Sequence, residues 1–327
     1  MNVMQRIRRV VGGQTAPAPA LPIAPIEPAP APPVDAPPAE ADAVPPGPPQ
    51  PLLPFPPGHF YSPIVDPATL DADRLWPATP QVVGIDFNEA SHRAILTEHF
   101  PRFHPDYDYA DTLPDTPELN DFYTGNSQFS GLDPRLLFVL LRAFQPRRLV
   151  EVGSGYSSLL IADVNRRFLR GTLDFTCIEP YPRPFLQRGI AGITRLVQAR
   201  AQDTDLRAFE ALQSGDVLFI DSSHVAKTGS DVNHLYFEVL PRLARGVLVH
   251  VHDIFLPHEY PREWVIDENR SWNEQYVLRA LLLGGSAYEV VFGTAYACTH
   301  LRALVIAALA RSDGALHGGG SFWMRKR

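Results

Sequence analysis

Cysteine is nearly absent: Cys177 and Cys298 are the only two in 327 residues. A disulfide-stapled mini-fold is therefore excluded, and no paired spacing suits a structural zinc. Each cysteine stands alone among apolar or small residues, the setting of a buried thiol in a reducing compartment. Long apolar runs are missing too. The strongest, Leu301 to Ala310, falls well short of the ~20 residues that a bilayer crossing needs and is bounded by charges, so no membrane span is expected. Behind Arg6, Arg8 and Arg9 there is no apolar stretch of ~7–15 residues, so a secretory signal is not expected and the cytoplasm is the default location. The third absence is basic charge. Lys and Arg number 29 against 36 Asp and Glu, a net charge of −7, with no basic face to neutralise a phosphate backbone. Nucleic acid is excluded as a partner, and the terminal Arg325-Lys326-Arg327 is too short to change that.

Proline, by contrast, is plentiful and confined: 18 of 34 fall in residues 17–57. Ala-Pro and Pro-Pro repeats with scattered acids cannot bury enough apolar surface to offset the entropy of ordering them. Residues 1–57 are read as a disordered Pro/Ala-rich tail, a semi-rigid spacer first and a docking arm for a protein partner second. Residues 58–130 are irregular, with helix candidates at Glu89–Phe100 and Pro117–Phe122 between turns, and read as a covering segment whose aromatics Phe122, Tyr123 and Phe129 pack onto the main domain.

From residue 131 onward the period is clear. A helix is expected at Pro134–Ala143, then short apolar runs at Arg148–Val152, Asp174–Glu179, Ile193–Gln198, Asp216–Asp221 and Gly246–Asp253, separated by helices at Ser158–Arg170 and Ser230–Leu243. Short, wholly apolar strands alternating with helices indicate a parallel sheet covered on both faces. The fold class is doubly wound, mostly parallel α/β. A helix at Asn273–Leu283 and strands at Tyr288–Thr294 and Gly320–Met324 complete it, the last expected at the sheet edge. Leu301–Ala310 fits either strand or helix.

The densest chemistry is Val150-Glu151-Val152-Gly153-Ser154-Gly155-Tyr156-Ser157-Ser158, a strand that ends beside an acid and turns through glycines into a helix. Glycine lets backbone approach a ligand closely. Gly-x-Gly is shared with nicotinamide-binding domains, but their third glycine is Ser158 here and an acid precedes the first glycine by two. A second acid, Glu179, closes the next strand 28 residues after Glu151, where a carboxylate can accept two hydrogen bonds from ribose hydroxyls. An ordinary strand-to-helix turn with satisfied acids is the plainer alternative.

These residues resemble the class I S-adenosylmethionine-dependent methyltransferases, whose first motif, Glu/Asp-x-Gly-x-Gly, is matched by Glu151, Gly153 and Gly155. Phe60-Tyr61-Ser62-Pro63, Asp221-Ser222-Ser223-His224, His252-Asp253-Ile254-Phe255 and Trp272-Asn273-Glu274-Gln275-Tyr276 resemble a bacterial subgroup of mostly undefined substrate. The resemblance implies a Rossmann-like methyltransferase domain over 131–327 with an antiparallel finish. It implies that Gly153 and Gly155 pass under the methionine part of S-adenosyl-L-methionine, that Glu151 helps fix its amino group and Glu179 holds its ribose, that Gln202 and Asp203 meet adenine, and that Ser154, Tyr156, Ser157 and Asp221 also belong to the cofactor site.

Asp221, His224, His252 and Asp253 stand at the carboxyl ends of the fourth and fifth strands, the edge where open α/β sheets bind ligands. His250 is expected to be a core histidine and His252 a neutral imidazole at the rim, taking a proton from an attacking hydroxyl. Metal-dependent O-methyltransferases carry acids at these strand ends, which implies that Asp221, His252 and Asp253 hold a divalent cation, magnesium or manganese; hydrogen-bonded strand-end acids are the alternative. Asn273 and Glu274 suit either substrate contact or packing. The expected activity is O-methylation of a small molecule or sugar-like hydroxyl, with a catalytically silent binding or scaffold protein and an NAD-dependent dehydrogenase as the alternatives.

Overall fold

Short apolar segments line up side by side because most are buried on both faces, leaving only backbone pairing along their edges, while Arg195–Val197 at the sheet edge is half-exposed. In the computed structural model, which describes residues 55–283, 285, 287–309 and 319–327, they form one seven-stranded sheet. The strands are β1 (Arg148–Val152), β2 (Asp174–Ile178), β3 (Arg195–Val197), β4 (Val217–Ile220), β5 (Leu248–Val251), β6 (Tyr288–Gly293) and β7 (Phe322–Lys326). Their order is β3-β2-β1-β4-β5-β7-β6, with β1 to β5 parallel and β7 antiparallel to both neighbours. The doubly wound, mostly parallel α/β class and the antiparallel finish are therefore as expected. β7 is not the edge strand: it is inserted between β5 and β6, and β6 is the edge. Sequence order does not reveal this, because the insertion is set by pairing across more than 70 residues, His250 opposite Trp323.

Leu301–Ala310 resolves as a helix, Arg302–Leu309. The helix after β4 runs from Asp231 to Arg242, with one π-helical turn at Leu235–Val239. The proline-rich tail lies outside the described residues except for its last three, and no helix among the described residues is long and apolar enough to cross a membrane. Both cysteines are free and buried.

The covering segment packs as its aromatics suggested: Phe87, Phe100, Phe122, Tyr123 and Phe129 all belong to the core. Helix Glu89–Ala94 forms as expected, but Pro117–Phe122 makes a single turn, closed by the Leu119 N–H on the Thr116 carbonyl. Two bonds stitch this segment to the loops above the sheet: the Val65 N–H donates to Ser271 Oγ at 3.1 Å, and Trp76 Nε1 donates to the Tyr260 carbonyl at 2.8 Å.

His92 is fully buried on helix Glu89–Ala94 and stacks on Phe292. Its Nε2 accepts the Gly293 N–H at 2.8 Å, so the ring is neutral with its proton on Nδ1, 3.2 Å from the Asn88 carbonyl. Burial pulls its pKa from 6.5 to about 4. The fold favours the uncharged ring, so this stability is complete above pH 6.5 and is lost as pH falls toward 4. The loss should reach about 2–3 kcal/mol. Urea unfolding of wild type and His92→Gln at pH 7, 5.5 and 4.5 checks this: the variant should lack that share of the slope, and parallel curves would refute it.

Candidate functional site

Register brings the site together. Val152 pairs with Ile178 and with Ile220, and Ile220 pairs with Val251. The next residue of each strand therefore falls in one row across the sheet: Glu179, Gly153, Asp221 and His252, at spacings of about 4.8 Å per strand. The row straddles the point where the chain reverses direction of winding, between β1 and β4, which is where open α/β sheets form a crevice.

Two glycines shape that crevice differently. Gly153 has φ +83°, and a Cβ there would stand 1.6 Å from the Asp221 carbonyl oxygen. Only glycine lets β1 and β4 close up at this point. A Cβ on Gly155 would meet nothing within 4 Å, so this residue borders open space at the start of helix Tyr156–Phe168.

Glu151 lies beneath the turn. Its carboxylate accepts from Ser157 Oγ at 2.6 Å and from the Ser158 hydroxyl, and the Cys177 thiol is 3.5 Å away. Burial pushes its pKa up to about 7, against the pull of those donors. No part of Glu151 reaches the surface, so it anchors the helix start rather than presenting itself to an amino group as the resemblance implied. The Tyr156 hydroxyl likewise turns to Asp115 of the covering segment, at 2.5 Å, with the Arg183 guanidinium over its ring. Ser157 is engaged by Glu151, leaving the backbone of this turn as what faces the crevice.

Glu179 remains accessible. Its Oε2 accepts the Ser154 N–H at 3.1 Å and its Oε1 the Tyr181 N–H at 2.8 Å, which fixes the carboxylate and leaves a further lone pair on each oxygen. Gln202 and Asp203 part company: Asp203 pairs with Arg200 at 2.6 Å on the exterior, whereas Gln202 donates to the Gly229 carbonyl and buries its Oε1. That Oε1, Ser222 Oγ and His234 Nε2 are buried with no hydrogen-bond partner among the described residues. Such atoms are costly unless something else satisfies them. His234 was hidden in the sequence, because the apolar spacing of its helix drew attention to Val232, Leu235 and Tyr236 instead.

At the β4 and β5 ends an imidazole sits among three carboxylates. His224 Nδ1 is 3.0 Å from Glu274 Oε2, and its Nε2 is 3.4 Å from Asp221 Oδ1 and 3.5 Å from Asp253 Oδ2. Burial alone would lower its pKa, but Asp221, Glu274 and Asp253 outweigh that and raise it well above the ordinary value. His224 and Asp253 both hold positive φ, +58° and +55°, a cost that side-chain-bearing residues carry where the surroundings impose it.

His252 Nε2 is 3.6 Å from Asp253 Oδ1. Its ring is buried rather than at the rim, and although burial works against charge, Asp253, Asp221 and Asp133 raise its pKa. The rim position expected from the strand alternation is thus corrected: β5 ends at Val251, and His252 is buried among acids. One ligand atom each from Asp221, His252 and Asp253 lies within 4.8 Å of the others. His250 is the core histidine expected, stacked on Phe219 with Nε2 2.9 Å from Ser321 Oγ.

Three consecutive residues hold these loops in place. Asn273 Oδ1 accepts the Ala226 N–H at 2.6 Å, Glu274 binds His224, and Gln275 Oε1 accepts the Phe255 N–H at 3.1 Å. Asn273 and Glu274 therefore brace the site. Trp272 lies over His224, ring centres 4.4 Å apart. Sequence reading missed Gln275 in this role, and Asp133 as well. Buried at the start of helix Leu132–Phe144, Asp133 accepts the N–H groups of Gly320 and Ser321 at 2.9 and 3.2 Å.

A family model described as a methyltransferase domain matches residues 150–254. A protein of Archaeoglobus fulgidus, described as uncharacterized, is 36% identical over 171 residues, which is 49% of this chain and 74% of that protein. Among solved structures, the O-methyltransferase TomG from Streptomyces achromogenes, in complex with SAM, is 18% identical with a TM-score of 0.35, covering 74% of this chain and 91% of that one. The O-methyltransferase from Bacillus cereus, in complex with SAH, is 14% identical with a TM-score of 0.36, covering 78% and 95%.

Proposed function

Because the chain belongs to the class I S-adenosylmethionine-dependent methyltransferases, we propose that it methylates a hydroxyl of a small molecule in the crevice above β1 and β4. The observation that carries this is the row of Glu179, Gly153, Asp221 and His252, with three buried polar atoms nearby that have no hydrogen-bond partner among the described residues. The residues fit the cofactor. Gly155 leaves room for it, Glu179 has lone pairs for the ribose hydroxyls, and Gln202 Oε1 and His234 Nε2 suit the donors and acceptors of an adenine edge.

S-adenosylmethionine supplies a methyl group on a sulfonium, already a strong donor, so the protein's main task is alignment. Asp221 stands between the cofactor row and the acid cluster and fixes where the two meet. His252 receives the acceptor's proton; the carboxylates around it make it a stronger base than a free imidazole. In the alternative with a metal, Asp221, His252 and Asp253 would instead hold a divalent cation, His252 then serving as a ligand rather than a base, and the cation would polarise paired substrate oxygens and lower their pKa.

Calorimetry with S-adenosylhomocysteine tests the cofactor. Wild type should bind it, and Glu179→Ala, which removes a charged acceptor at the ribose position, should weaken binding about ten- to hundredfold. Absence of binding to folded wild type would remove the proposal. Repeating the titration with manganese, wild type against Asp253→Asn, tests the cation separately: heat from wild type alone supports it.

A further inference from the structure

The covering segment, the loop after β5 and helix Glu274–Leu283 line an open cleft of about 210 Å³. At roughly 30 Å³ per water it holds about seven waters. Its walls include Arg74 and Trp76 from the covering segment, His258 and Glu259 from the loop after β5, and Arg279 from helix Glu274–Leu283. We propose that this cavity binds the phosphate or carboxylate group of a small molecule, gripped between Arg74 and Arg279.

Charge is the first argument. Among the described residues neither guanidinium has a carboxylate within ion-pair distance, although other arginines of the chain do: Arg93, Arg142, Arg167 and Arg242 each hold an acid at 2.6–3.2 Å. The one acid in the wall, Glu259, is engaged by the Tyr276 hydroxyl at 2.6 Å. Two arginines against one acid give the cavity a local excess of one positive charge in a chain whose net charge is −7. Guanidinium forks match the paired oxygens of a carboxylate or phosphate, and two of them lining one cleft suit a shared anion.

Rigidity is the second. Trp76 Nε1 is tied to the Tyr260 carbonyl, and Gln275 Nε2 donates to the His258 carbonyl at 3.3 Å, so both walls are fastened to the same framework. Pro77, Pro80 and Pro257 stiffen the rim. Gln275 also holds the Phe255 N–H in the loop that follows Asp253. An anion joining Arg74 to Arg279 would thus clamp the covering segment onto the helix that braces the acid cluster, with Tyr260 and Trp272 between the two sites.

The test uses the full chain. Thermal unfolding is followed with inorganic phosphate, with citrate, and with chloride at matched ionic strength, and binding is confirmed by calorimetry. Phosphate or citrate should raise the midpoint above the chloride control, and whichever acts more strongly shows whether the site prefers phosphate or carboxylate. Arg279→Gln and Arg74→Gln should each weaken binding about tenfold, and Arg74 is exposed, so its substitution leaves folding intact. Equal midpoints in all three salts, or a shift unchanged in both variants, would overturn the proposal. Both variants should keep wild-type affinity for S-adenosylhomocysteine, so this result stands or falls apart from the methyltransferase assignment.

Discussion

Gly153→Ala is expected to cost about 3 kcal/mol or more and to abolish cofactor binding, whereas Gly155→Ala should leave stability within about 1 kcal/mol of wild type and still weaken cofactor binding. Two costs combine at Gly153. The left-handed φ of +83° is open to glycine and strained for alanine, and the new Cβ would fall 1.6 Å from a backbone oxygen that cannot swing aside, because the Asp221 N–H is tied to the Val152 carbonyl at 2.8 Å. Relief requires β1 and β4 to part at the centre of the sheet. Against a total stability of about 5–15 kcal/mol this is a large fraction. Gly155 has no such constraint: its backbone is extended and its missing side chain faces open space. Urea unfolding midpoints and calorimetry with S-adenosylhomocysteine separate the two effects. A stable Gly153→Ala would mean that the close approach is not formed. A Gly155→Ala with unchanged affinity would mean that the cofactor does not pass over this turn.

This contrast also marks what the sequence could disclose. Both glycines, the two acids and the strands they follow were legible because each signal is local: an apolar run of four or five residues, a turn former, a carboxylate at a fixed offset. β1 was read with its bounds unchanged, Arg148–Val152, and the remaining parallel strands within two residues at either end. What the motif could not show is how each side chain is used. Glu151 and Glu179 look alike in sequence, an acid at or just past a strand end, yet one is sealed under Ser157 and Ser158 and the other stays open. The difference is two positions in register: Glu151 lies within β1 opposite Cys177, and Glu179 lies one residue past β2.

Partners distant in sequence were illegible for a related reason. His224 meets a carboxylate 50 residues later, and Asp133 meets N–H groups nearly 190 residues later. Nothing in either neighbourhood encodes the other, since the contact exists only once the sheet has set its strand order. The covering segment was hard to divide because its elements are short: four-residue and three-residue helices at Ala72–Leu75 and His104–Asp106 hold too few turns to show a period.

Glu274→Ala should lower stability by about 3–5 kcal/mol while leaving affinity for S-adenosylhomocysteine near wild type. Glu274 is fully buried, and its Oε2 is 3.0 Å from His224 Nδ1. Three carboxylates raise the pKa of His224, so removing one weakens the balance of a charge almost withdrawn from water. The alanine also leaves a void where the side chain stood, and it loosens the loop between β4 and its following helix, which reaches helix Glu274–Leu283 through the His224 carbonyl as well. Glu274→Gln keeps the volume and a carbonyl acceptor for Nδ1 but not the charge, and should recover about half the loss. Glu179 and Gly153, one residue past β2 and β1, touch neither Glu274 nor His224, which is why affinity at the proposed cofactor crevice should hold. Urea unfolding of both variants, with calorimetry on each, measures the two quantities independently. A cost below about 1 kcal/mol for Glu274→Ala would show that His224 is braced by Asp221 and Asp253 alone, and a parallel fall in cofactor affinity would show that the acid cluster and the cofactor crevice are one cooperative unit.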